Sequence, residues 1–87
     1  MHELRICTYV IDNHWTKEVY PNGKRVFVLH KVHLNDRYGI PEAHTPIHAN
    51  EGFNNLKEIE VFNHYVSKAL EQPVLDLDNE YEIFKTD

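Results

Sequence analysis

Eighty-seven residues, 41% hydrophobic and 26% charged, suffice for one folded domain spanning 1–87 and leave no room for a second core. The formal net charge of −5 excludes the basic footprint that phosphate-driven nucleic-acid binding requires. A single cysteine, Cys7, excludes an internal disulfide and a multi-cysteine zinc site.

Met1-His2-Glu3-Leu4-Arg5 does not read as a signal peptide, because no apolar run follows a basic segment. The longest purely apolar stretch, Val26 to Leu29, is far below the ~20 residues that span a bilayer. With a lone cysteine suited to a reducing compartment, these features lead to the expectation of a cytoplasmic protein that no membrane holds. Charge is uneven along the chain. Residues 1–50 carry six Lys/Arg against five acids, whereas residues 51–87 carry three Lys against nine acids. Such an acidic second half suits a larger protein partner with a basic surface.

Leu4, Ile6, Thr8 and Val10 alternate with Arg5, Cys7, Tyr9 and Ile11, the period of a strand. Asp12 to Trp15 form a connection, and residues 17–20 lead into Pro21-Asn22-Gly23-Lys24. Asn-Gly between strand-like runs predicts a type I′ hairpin that pairs 17–20 with 25–28, since both of its turn positions need positive φ. The returning strand, Arg25 to Leu34, places Val26, Val28, His30, Val32 and Leu34 on the better core face. Residues 35–52 hold no sustained period and include two X-Pro steps and two glycines, so they read as a long loop in which Thr45-Pro46 starts a single helical turn.

Residues 53–72 predict an amphipathic helix. Leu56, Ile59, Phe62, Val66, Ala69 and Leu70 fall on one stripe, Asn55 with Glu58 makes a capping pair, and Pro73 is the stop. Beyond it, Leu75, Leu77, Tyr81 and Ile83 alternate with Asp76, Asp78, Glu80 and Glu82, the pattern of a final strand or of a short hairpin around Asp78-Asn79. The fold expected is α+β: a small antiparallel sheet, made of an N-terminal meander with the Asn-Gly hairpin plus a C-terminal strand, packed by one long amphipathic helix.

Seven histidines invite a metal. His30 and His33, however, point to opposite faces of a strand, and Pro46 disfavours helical conformation at Thr45, which leaves His44 outside the turn that would have to align it with His48. Zinc held by histidines also calls for an acid or water, which Asp36 or Glu42 would supply. His30 is better read as a hydrogen-bonded residue near the core, and His64 as solvated on the polar side of the helix. Asp76-x-Asp78-x-Glu80 resembles the start of a calcium loop, but Tyr81 stands where the sharp turn needs Gly and Asp87 where a bidentate Glu belongs. His14-Trp15-Thr16 has one half of a two-histidine phosphoesterase signature and no second copy. Mid-strand Cys7 reads as a small packed hydrophobe. Neither a metal nor any other cofactor is assigned, and no catalytic residue.

On an extended strand Asp76, Asp78, Glu80 and Glu82 would form a regular line of carboxylates, fit either to meet Lys/Arg of a partner or to guard a sheet edge. Val61 and Tyr65 are i, i+4 neighbours off the main helix stripe, and Trp15 and Tyr38 lie in connections; all four are candidate interface anchors. The layout is similar to that of small inhibitory or immunity-type proteins, including phage anti-defence proteins. The function expected is therefore a small acidic, non-catalytic protein-binding module, an inhibitor or immunity-type protein that covers a basic surface of a larger partner. The alternatives are a His-based or metal-dependent hydrolase that uses residues 30–48, and a structural homodimer.

Overall fold

A computed structural model describes residues 1–47 and 52–85. Their framework is a long two-stranded ribbon. Strand β1 (His2–Ile11) pairs antiparallel with β2 (Lys24–Leu34), in a register running from His2 opposite His33 to Ile11 opposite Lys24. Strand β3 (Pro41–Pro46) adds antiparallel to β2, while β4 (Leu75–Asp76) adds to the other side of β1 in parallel. Strand β5 (Glu82–Ile83) closes that edge antiparallel to β4, giving the order β3-β2-β1-β4-β5. The architecture is α+β, but the sheet is mixed and not antiparallel throughout as expected. The cause is topological. Strands β3 and β4 run in the same direction on opposite sides of the ribbon, so the chain between them must cross the sheet. Helix α2 (Leu56–Leu70) lies in that crossover.

The Asn-Gly hairpin does not form. Residues that were to pair with 25–28 instead make a short helix, α1 (His14–Val19), whose N-cap Asn13 accepts a hydrogen bond from the Thr16 N–H at 2.9 Å. Asn22-Gly23 still turns the chain, with the Gly23 N–H bonded to the Tyr20 carbonyl at 2.8 Å. Gly23 has φ +82°, and a Cβ there would stand 2.6 Å from Val10 Cγ1. The tight hairpin lies further on, between β2 and β3. Asn35 Oδ1 accepts from the Arg37 and Tyr38 amides at 2.8 and 3.0 Å, and Gly39 takes φ +66°.

Strand β3 also replaces part of the expected loop, including the helical turn at Thr45-Pro46. Its edge position explains why the sequence lacked a strand signal. An edge strand tolerates proline at its ends and needs no apolar alternation, and only Pro41 and Pro46 in it are even half-buried.

The two faces of the sheet are covered differently. On one, Cys7, Val32 and Leu75 are buried together, with Leu34, Leu77 and Tyr81 packed against them. The other carries Leu4, Ile6 and buried Leu29, and it is the side on which α2 lies. Helix α2 starts as expected, with Asn55 Oδ1 accepting the Glu58 N–H at 2.9 Å. Its apolar stripe is not sealed, however. Ala69 alone is buried and Phe62 and Val66 are half-buried, while Leu56 is 78% exposed and Leu70 64%.

Candidate functional site

The unsealed side of α2 forms a groove. Its floor includes Leu4 of β1 and Ile47, whose N–H donates to the Leu29 carbonyl at 2.9 Å and so holds the end of β3 against β2. Phe53, just ahead of the helix, meets Phe62 with ring centroids 5.4 Å apart. That contact packs the segment entering α2 against the second turn of the helix. The Glu58 carboxylate reaches back to the Asn54 N–H at 2.9 Å and its side-chain amide at 3.3 Å, tying down the same turn. Val61, Phe62 and Tyr65 complete the apolar lining, and Lys57 and Glu58 supply charge of both signs. The volume is about 530 Å3, within the range of ordinary binding clefts. A smaller concavity of about 340 Å3 shares Lys57, Val61 and Tyr65 and adds Glu60 and His64.

Two of the sequence-selected anchors, Val61 and Tyr65, therefore line one groove, 41% and 46% exposed. The other two stand apart. Trp15 projects from α1 against His14, and Tyr38 lies in the β2–β3 turn beneath the Arg37 guanidinium, 5.3 Å from the ring centroid. Nothing local in the sequence marks Phe53, Ile47 and Leu4 as a site, since the chain brings them together only through the crossover. Phe62, expected in the core, also lines the groove.

The carboxylate ladder does not exist as a line. Only Asp76 and Glu82 are in strands, and they sit opposite each other. Between them residues 77–79 make a 3-10 turn, and Glu80 and Tyr81 adopt left-handed φ of 51° and 65°. Asp76 is buried and accepts the Asp78 N–H at 3.0 Å, and Asp78 accepts the Val10 N–H at 2.9 Å. Extended alternation fails here because short-chain acids cap turns by bonding nearby amides. Glu80 and Glu82 remain exposed.

The histidines disperse. His30 is buried, with Nδ1 3.0 Å from the Val28 carbonyl oxygen and its ring edge-on to His44 at 5.2 Å. His44 in turn meets Tyr81 at 5.8 Å. His33 lies on the opposite face beside His2, with Nε2 3.2 Å from Glu42. His64 is exposed beside Tyr65, and His48 and Asp87 lie outside the described residues. Among the described residues, no three His, Cys, Asp or Glu side chains are gathered so as to hold a metal ion.

Cys7 is fully buried, and burial pushes its thiol up to about 11, against a smaller opposing pull from Arg5. A thiol so placed is a poor nucleophile at neutral pH. Burial, then Cys7, also raises the Tyr81 hydroxyl above its ordinary value. At the exposed sheet end, the N-terminal ammonium donates to Asp36 at 3.0 Å and holds that carboxyl below the usual range.

No helix among the described residues is long and apolar enough to cross a membrane. Comparison with known proteins finds no family model, no curated protein and no solved structure that matches this chain.

Proposed function

We propose that this chain is a non-catalytic protein-binding module whose contact surface is the groove between α2 and the sheet. The observation that carries the reading is the half-exposed pair Val61 and Tyr65, side by side on a helix and lining an apolar cleft. Aromatic and aliphatic side chains held on a rigid element at the mouth of a cleft are the usual anchors of protein interfaces. The groove takes apolar side chains from a protein surface, and the charges of Lys57 and Glu58 set their orientation. A basic partner met by a carboxylate ladder is set aside, because Asp76 and Asp78 accept backbone hydrogen bonds within the chain.

Paired affinity capture tests the reading. Tagged wild type and a Val61→Glu variant, both checked for folded circular dichroism, are exposed to the same pool of host proteins and untagged copies of the chain. A protein retained by wild type and lost with Val61→Glu supports the groove. Identical retained sets for the two baits would contradict it.

A further inference from the structure

We infer that the occupant of the groove is a second copy of this chain, joined about a two-fold axis through α2. The inference rests on the reading of the groove as a protein-binding surface and names its partner. Two independent observations carry it.

The first is area. The chain exposes 6769 Å2, whereas a compact monomer of its 10.3 kDa exposes about 5,400 Å2. Its radius of gyration is 14.7 Å, against about 12 Å for a compact chain of this length. The molecule is a slab of 38 × 38 × 24 Å. Burying even half of that surplus of about 1,400 Å2 on each chain of a pair would reach the size of a standard specific interface. At the groove itself Phe53, Val61 and Tyr65 are each exposed by a third or more.

The second is charge order along the helix. Glu58, Val61, Tyr65 and Lys68 are spaced three, four and three residues apart. At about 100° per residue they fall within one narrow stripe. The stripe reads acid, apolar, apolar, base, so its reverse is its own complement. Two α2 helices packed antiparallel place Glu58 of each copy opposite Lys68 of the other, and Val61 opposite Tyr65. A two-fold interface demands this self-complementarity, and a surface shaped for an unrelated partner has no need of it. Within the chain neither charge of the stripe is neutralised by a close, buried ion pair. Glu58 accepts from the neutral Asn54 groups, and Lys68 stands 3.9 Å from exposed Glu71. Tyr65 of each copy then enters the groove of the other beside Val61.

Charge exchange across the axis supplies the test. Sedimentation equilibrium at micromolar concentration is run on wild type, Val61→Glu, Lys68→Glu, Glu58→Lys and the double charge variant. Wild type is expected to be a dimer. Each single charge variant sets like charges opposite one another and should raise the dissociation constant at least about tenfold. The double variant should restore the dimer with the polarity of the stripe reversed. Because Glu58 also bonds Asn54, Lys68→Glu is the cleaner single change, and circular dichroism confirms that each variant stays folded. A monomeric wild type overturns the second-copy inference, and the paired capture then decides the groove reading by itself. A wild-type dimer that Lys68→Glu and Val61→Glu both leave intact overturns the inference too, because the contact then lies elsewhere on the molecule.

Discussion

Gly23 and Cys7 show how single residues constrain this fold. At Gly23 a left-handed backbone coincides with a near contact on Val10, so a side chain is resisted twice. Gly23→Ala should cost roughly 1–3 kcal/mol, whereas Asn22→Ala should change stability little. Urea midpoints of the two variants check this. Cys7 couples stability to alkaline pH. Burial holds its folded thiol at about 11, above the ordinary 9.0. Between those values the unfolded chain has released the proton and the folded chain still holds it. Stability therefore falls as pH rises through that window and levels off above it. The loss is on the order of 1–3 kcal/mol. Tyr81, also raised, adds to it in the same direction. Thermal melts at pH 8 and pH 11 should show a smaller decline for Cys7→Ala than for wild type; equal declines would mean that the thiol is not the group responsible.

At the scale of elements, legibility followed the range of the interactions. The start of α2 was readable because Asn55, Glu58 and the three- and four-residue spacing act within one or two helical turns. Strands β1 and β2 were readable from a period of two. The expected hairpin does not form because Asn22-Gly23 specifies a local turn but not what precedes it; Asn13 caps a helix despite the strand propensity of Trp15, Thr16 and Val19. Strand β3 was missed because an edge needs neither alternation nor freedom from proline. The parallel β1–β4 pairing leaves no local mark at all. Burial of the helix stripe was overestimated for a related reason, since periodicity gives a direction but not a neighbour. Leu75, 4% exposed in the core, and Leu56, 78% exposed at the start of α2, separate the two situations. Leu75→Ala should cost about 2–5 kcal/mol and Leu56→Ala no more than about 0.5. Comparable losses in denaturant titrations would show that α2 is packed more tightly than this account holds.

Across the whole molecule, a thin mixed sheet carries a sealed cluster around Cys7, Val32 and Leu75 on one face and an open groove on the other. So small a core gives an 87-residue chain modest stability by itself. Burial of a second apolar layer would add to it and make the melting temperature depend on protein concentration. That dependence should be visible in calorimetry over a dilution series, and Val61→Glu should abolish it. Two of the eight lining residues of the candidate site are legible in the sequence, since Val61 and Tyr65 stand off the main stripe of their own helix. Leu4, Ile47 and Phe53 join them only through the fold. The most direct test of the central claim is isotope-filtered NMR on an equimolar mixture of labelled and unlabelled chains. The account predicts contacts between the Val61 methyls of one copy and the Tyr65 ring of another. Filtered spectra without any contact between copies at α2, from a sample whose sedimentation shows a dimer, would contradict it.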